Sequence, residues 1–516
     1  MKLTLSLRTV CLGLVLLLIV VMCSQVEFRV PLGSARVPVT IADVVLAVAL
    51  VGAALHVLAR RFRGMRLPPL PAFAFVAVAF VALARTSPLG LDAVKEPLQL
   101  IEYFLAAYFV FVNIAETRDL RPMLAAFALT TAGVVVWAGI HYLAVQSPFD
   151  VRGSYANRNL LGAFLAIALP MLYGIALHAR RWRWRIPLLA IVVGGLAVNL
   201  SGGAVLVTLI VLGALSALMG QRAFIPYGVV LCLALLFGPR VLPRAHHTDA
   251  LFSSVAVKVD DNFLLSDAQL VARARELLHP TRRIPADKSG ELIMPQPRPL
   301  DAARLLRLLG ERRDLLGSEV DLYVEVARTV GADVSQQERA SYALDRPQLA
   351  VRYQRWHAAV LCVRGLFDGA WAALFGRGIV PYHEAIKPFM GGRLQYRTDE
   401  PEVFNIAAPE PFTHCQWLMT FVQTGLLGFL TLAWLVGTFL HRAERLYRAA
   451  RSELALGTAL GAVGGILGFA LVGLFTETIV RGIAIPFVFV LAAVAVTERI
   501  VHGAGRSAIE QLTRYD

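Results

Sequence analysis

Residues 454–476 read LALGTALGAVGGILGFALVGLFT, and this stretch decides the fold. It contains no Asp, Glu, Lys or Arg. A helix rising about 1.5 Å per residue crosses the roughly 30 Å hydrocarbon core of a bilayer in about 20 residues. A backbone surrounded by lipid must satisfy its own hydrogen bonds, so such a stretch is helical. Runs of the same kind recur at 8–24, 38–59, 69–85, 96–115, 121–144, 157–177, 186–201, 203–219, 223–239, 413–440 and 482–499. They predict an all-α polytopic membrane protein of about twelve transmembrane helices, with a large segment between the ninth and tenth. The expected division is helices one to nine in 1–239, a mostly helical loop domain in 240–412, helices ten to twelve in 413–499, and a tail in 500–516.

Composition agrees. Hydrophobic residues make up 57% of the chain and charged residues 17%, against about 25% charged in soluble domains. Mean hydropathy is +0.62. The formal net charge of +14 does not point to nucleic acid, because no basic patch interleaved with aromatic residues stands clear of the apolar runs. The arginines lie instead in short connections: Arg60, Arg61, Arg63 and Arg66; Arg180, Arg181, Arg183 and Arg185; Arg442, Arg445, Arg448 and Arg451. The positive-inside bias puts these connections and both termini in the cytoplasm, and residues 240–412 outside it. Lys2 and Arg8 before an apolar run look like a signal peptide, but no small-residue cleavage site is clear, and the run reads as an uncleaved first helix.

The five cysteines lack zinc or redox spacing. Cys11, Cys23 and Cys232 read as small apolar residues within spans. Cys362 and Cys415 could meet outside the cytoplasm.

In the large segment, helical periodicity appears at 265–279, 299–316 and 317–330. Ser335 and Glu338 form a candidate capping box, and Pro347 suits the first turn of a long helix running through Phe375. Pro280 to Pro299 reads as an exposed connector.

There is no Walker loop, dinucleotide glycine fingerprint or HExxH, so ATP-driven pumping within the chain is not expected. Three outer clusters carry the polar chemistry. The first is Arg152-Gly153-Ser154-Tyr155-Ala156-Asn157-Arg158-Asn159, opening the sixth span. Its arginines present the planar donor fork that binds phosphate, and a helix N-terminus adds backbone donors. Equally, Asn157 or Asn159 caps the helix while the arginines solvate a loop. The second is Arg352-Tyr353-Gln354-Arg355-Trp356-His357. On a helix, Arg352 and Trp356 share a face and Arg355 lies near it. Two arginines there could grip a diphosphate, with Trp356 and Tyr353 against a sugar; a solvated basic face with Trp356 in a core is the other reading. The third is Thr413-His414-Cys415-Gln416-Trp417, followed by Gln423-Thr424-Gly425-Leu426-Leu427-Gly428. His414 could exchange a proton with a sugar hydroxyl, hydrogen-bond a phosphate, or anchor at the membrane surface beside Trp417. Gly376-Arg377-Gly378 and Gly391-Gly392 read as turns. Lys95 could pair with Glu96, and Glu477 with Arg481.

In this order, the clusters resemble the O-antigen ligase/polymerase superfamily, over roughly residues 85–440. The matching pieces are Gly153 to Gly162, with Asn157 and Asn159; the turn Leu200-Ser201-Gly202-Gly203-Ala204; Arg352-x-x-x-Trp356; Gly376-x-Gly378; His414-x-x-x-Leu418; and Gly425-Leu426-Leu427-Gly428. The chain departs from the pattern in three places. Gly202 stands where ligases carry an arginine, Cys415 follows His414 where the family has asparagine, and Gln423 replaces a glutamate. The loop is also long for the family, with extra helical material at about 255–345.

The resemblance implies a bacterial inner-membrane glycosyltransferase. It would move a glycan from undecaprenyl diphosphate to a sugar hydroxyl on lipid A-core or on a growing chain, during surface polysaccharide assembly. It implies no cofactor and no metal; Asp260 and Asp261 are adjacent rather than spaced as Asp-x-Asp. Under it, Arg352 acts on the leaving diphosphate with Arg152, Arg355 and Arg158 as helpers. His414 activates the acceptor or neutralises the leaving group, Trp356 and Tyr353 hold sugar, and Gly153, Asn157, Asn159, Gly378 and Gly425 shape the backbone. The partners are the lipid-linked glycan, the acceptor and the bilayer, with no nucleic acid. Two other readings stay open: a flippase for lipid-linked glycans, which would need polar residues buried mid-span, and a noncatalytic assembly scaffold. Ligase and polymerase are not distinguished by these residues.

Overall fold

A computed structural model describes residues 6–24, 27–32, 35–84, 86, 91–144, 153–155, 158–220, 224–241, 369–379, 415–479 and 482–512. Each of the twelve apolar stretches contains a helix. They are α1 (Leu7–Val21), α2 (Ile41–Ala59), α3 (Leu70–Leu83), α4 (Leu91–Leu100) continuing through a π-helical turn (Ile101–Ala107) into α5 (Tyr108–Ile114), α6 (Leu120–Ala144), α7 (Arg158–His178), α8 (Trp182–Val198), α9 (Gly202–Met219) and α10 (Phe224–Val241). A short α11 (Ala370–Phe375) precedes α12 (Gln416–Ala449), α13 (Glu453–Val472) and α14 (Ala484–Leu512). Among the described residues, eight helical stretches are long and apolar enough to cross a membrane. The helices α1 and α3 and the apolar part of α10 are shorter.

The surface fits lipid rather than water. On α2, Val44, Val48, Val51 and Leu55 are all exposed, and their spacing puts them on one helix face. A continuous exposed apolar stripe of this kind requires a lipid or protein partner.

The centre of the bundle is α7 packed against α13. Every residue from Leu161 to Gly174 of α7 is buried. A side chain on Gly461 of α13 would collide with the backbone carbonyl of Met171, and one on Gly468 with that of Ala166. These two helices therefore meet backbone to backbone, a packing that lipid favours through dispersion and not through water exclusion. Around them, Phe127 of α6 stacks on Phe489 of α14 at 4.8 Å between centroids, and Phe489 meets Phe111 of α5 edge-on at 5.6 Å. The helix α1 packs on α2 and α6, burying Cys11, Val15, Leu18 and Ile19.

One end of the bundle is stitched by arginine. Arg8 bridges Asp119 at 2.5 Å and Glu116 at 3.1 Å. Arg442 of α12 donates Nε to Glu498 of α14 at 2.7 Å. Arg499 donates to the carbonyls of Val112 and Ala115, which α5 leaves open at its C-terminus.

The mostly helical character holds, with one addition and two changes. The addition is an antiparallel hairpin of β1 (Glu27–Leu32) and β2 (Ala35–Thr40) between α1 and α2, with Glu27 opposite Thr40. Alternation around Val30, Val37 and Val39 favours strands, and α2 starts only where Thr40 and Asp43 form a capping box. The tenth span is not one regular helix, because Gly425 inside α12 has φ 68° and ψ −164°. The helix expected to run unbroken through Phe375 is interrupted at Gly369, whose φ is 110°. Cys415 is buried, and Cys362, with which it could meet, lies outside the described residues. The helices expected at 265–330, the Ser335–Glu338 box and the connector at 280–299 also lie outside them.

Candidate functional site

At the end of the bundle opposite the arginine stitching, two knots of polar backbone and side chains form. The first joins the starts of α7 and α9. Asn159, in the first turn of α7, accepts a hydrogen bond from the Ser201 hydroxyl at 3.2 Å. Asn199 is fully buried, and its Oδ1 accepts from the Ser201 backbone N–H at 3.2 Å. Gly162 leaves room for this contact; a Cβ there would sit 2.7 Å from that of Ser201. Because the Ser201 hydroxyl is turned to Asn159, the Ser201 side chain does not cap the N-terminus of α9, where N–H groups and the helix dipole concentrate donor character. Among the described residues, the Asn199 Nδ2 is buried without a hydrogen-bond partner. Gly203 abuts Phe475, in the turn between α13 and α14.

The same turn continues the knot. Gln416 opens α12, and its Oε1 accepts from the N–H groups of Thr478 and Ile479 at 2.9 Å each. Its own N–H donates to Gly473 at 2.7 Å. Trp417 donates Nε1 to Ala470 at 2.8 Å. Glu477, in this turn, is 6% exposed.

The second knot is built on the break in α12. With Gly425 out of helical geometry, the carbonyls of Val422 and Gln423 need new donors. Arg377 and Gly378 supply them through backbone N–H groups at 2.9 Å and 3.2 Å. Gly376 (φ 72°) and Gly425 touch so closely that a Cβ on the first would lie 2.5 Å from the Gln423 carbonyl. The next residue, Ile379, donates to the Thr86 hydroxyl at 2.9 Å, tying the segment to the end of α3. The Gln423 side chain then reaches α4, where its Nε2 donates to Glu96 Oε2 at 3.0 Å.

Of the residues singled out from sequence, Asn159 and Gly162 meet the 200–204 turn, and Gly378 meets the Gly425 segment. Gly153 forms a turn (φ 58°) whose N–H donates to His141 Nδ1 at 3.2 Å. Beside it, Ser154 donates to the Cys23 carbonyl and Tyr155 to the Gly482 carbonyl. Arg158 begins α7, half-buried. Arg152, Asn157, Arg352, Tyr353, Arg355, Trp356, His414 and Arg481 lie outside the described residues. Among the described residues no group of His, Cys, Asp and Glu could hold a metal ion. Sequence reasoning missed Asn199, Gln416 and the Glu96–Gln423 contact. Asn199 and Gln416 stand at helix boundaries, which marks them as capping candidates; nothing local ties Glu96 to a residue of α12.

Compared with protein-family models and with curated proteins, the sequence matches none.

Proposed function

We propose that this chain is a metal-independent glycosyltransferase of surface polysaccharide assembly. It would transfer a glycan from undecaprenyl diphosphate to a sugar hydroxyl on lipid A-core or on a growing chain. It sits in the bacterial inner membrane with twelve spans, both termini cytoplasmic and residues 240–412 periplasmic. The observation that carries the reading is the start of α9, which the Ser201 side chain does not cap, beside Asn159 and the buried Asn199 amide. Helix N-termini attract anions through unsatisfied N–H groups and the aligned peptide dipoles. A diphosphate held there needs less from a side chain at position 202, which bears on the missing arginine. The position also agrees with the resemblance, whose segments 153–162 and 200–204 touch each other.

In the reaction, charge builds on the diphosphate as its bond to the anomeric carbon breaks, and fixed cations aimed at it lower the barrier. Arg352 takes this role, with Arg152, Arg355 and Arg158 assisting. His414 serves the acceptor hydroxyl or the leaving group, and Trp356 and Tyr353 hold sugar.

The test is transfer by purified protein in liposomes from an undecaprenyl-diphosphate oligosaccharide, with and without lipid A-core, without metal or nucleotide. Product on lipid A-core marks a ligase; chain lengthening alone marks a polymerase. No product from the native donor refutes the transferase. Arg352→Ala and His414→Ala should each lower the rate about 10²–10³-fold, and wild-type rates in both would remove them from the site.

A further inference from the structure

We propose that the arginine-rich end of the bundle holds the phosphate of an anionic phospholipid between Arg66 and Arg442. The inference goes beyond the transferase reading and does not depend on it. It needs only a chain that lies in a membrane.

A cavity of about 290 Å³ at this end is lined by Arg66, Leu67, Pro69, Tyr108, Arg442 and Ala495. Among these described residues two carry positive charge and none carries negative charge. Both arginines are fixed in place. Arg66 lies in the connection between α2 and α3, and α5 clamps its backbone at two points. Its N–H donates to Asn113 Oδ1 at 2.8 Å, and Asn113 Nδ2 donates to its carbonyl at 2.8 Å. The clamp sets the point from which this exposed side chain starts. Arg442 is braced by Glu498, which accepts from Nε at 2.7 Å and also from Nη2. The ring of Phe439 lies 4.8 Å from its guanidinium and packs edge-on against Tyr108 at 5.9 Å.

Charge around the cavity is unbalanced. Arg499 donates to the carbonyls of Val112 and Ala115, on either side of Asn113, so a third guanidinium belongs to the same turn of α5. Among these contacts Glu498 is the carboxylate that answers them. The neighbouring Glu116 and Asp119 are already shared among Arg8, Arg60 and Arg118. Such a surplus attracts an anion, and the planar donors of arginine suit phosphate oxygens. The apolar surroundings favour a lipid over a soluble anion. Leu67, in the lining, is 61% exposed, and Leu70, at the start of α3, is 67% exposed. An acyl chain therefore finds apolar surface beside the charged one. Basic pockets between membrane helices bind anionic headgroups in this way.

The experiment titrates the full chain, purified in a neutral detergent, with phosphatidylglycerol, with phosphatidylcholine and with inorganic phosphate. Tm is one readout, and native mass spectrometry counts bound lipid. Phosphatidylglycerol is expected to raise Tm and stay bound, and the other two to do neither. Arg66→Gln should weaken the apparent affinity for phosphatidylglycerol about fivefold, the share of one surface arginine. Arg66→Lys should keep part of that affinity. Arg183→Gln, at the same end but outside the lining, removes the same charge and should bind as the wild type does. Equal weakening in Arg66→Gln and Arg183→Gln would mean a diffuse attraction and overturn the site. So would wild-type affinity in Arg66→Gln, or no binding of phosphatidylglycerol by the wild-type protein. An equal Tm rise from inorganic phosphate would mark a soluble-anion site, and an equal response to phosphatidylcholine would show no selection for charge. Either overturns the anionic lipid.

Discussion

Gly425 and Gly376 occupy positive-φ conformations with neighbouring backbone where a Cβ would go. Strain of this kind costs about 1–3 kcal/mol per residue, before any collision. Gly425→Ala should therefore lower Tm in detergent and reduce folded yield. Gly437→Ala, twelve residues on in the same helix, is the control: a Cβ there meets nothing within 4 Å, and alanine is the better helix former by about 1 kcal/mol. It should hold Tm or raise it. Equal losses in both would show that the break is not what makes position 425 special. At this scale the sequence was informative in part. Gly376, Gly378 and Gly425 stand out as punctuation, but a single glycine inside an apolar run is also tolerated in a regular helix. Which of the two holds depends on whether a distant segment supplies donors. The Glu96–Gln423 contact was illegible for the same reason: its partners are remote in the chain and neither has a local pattern.

Among the elements, α7 and α13 depend on small residues. Gly461→Leu or Gly468→Leu should prevent stable assembly, because side-chain volume would meet main chain, which cannot rotate away. The measurement is the monodisperse fraction after detergent extraction; Gly13→Leu, at an open position, should leave it unchanged. The α12–α14 pair gives a second test. Arg442 and Glu498 bond at two points, with side chains 28% and 19% exposed. Removing one partner leaves a partly buried charge, so Arg442→Met and Glu498→Gln should each destabilise, while the double change should cost less than their sum. A double-mutant cycle in Tm with no coupling would contradict the pair. The helices themselves were readable, since a long uncharged run has few other fates. The hairpin was not, because six-residue strands beside a helix start carry a weaker periodic signal than the helix that follows. The π-helical turn after α4 has no sequence signature that separates it from an α-helix.

At the scale of the whole molecule, the arginine-rich end and the polar end lie at opposite ends of the helices, and the first should face the cytoplasm. Phe28, in the hairpin, is 52% exposed, and Phe62, among the arginines after α2, is 58% exposed. In a Cys232→Ser/Cys362→Ser background, Phe28→Cys should react with a membrane-impermeant maleimide in intact spheroplasts. Phe62→Cys should react only after lysis. The reverse pattern would invert the topology and put the polar end of the bundle on the cytoplasmic side.

The repair of the α12 break also has a consequence for biosynthesis. Arg377 and Gly378, which bond the carbonyls of Val422 and Gln423, leave the ribosome before the helix they complete. An open carbonyl in lipid costs several kcal/mol, so the distorted segment is stable only once its earlier-made partner is in reach. The chain order thus supplies the template first and the irregular helix second. A version of the protein with residues 369–379 moved behind α12 would have to insert the break with nothing to receive it, and should be recognised by the cell's membrane quality control.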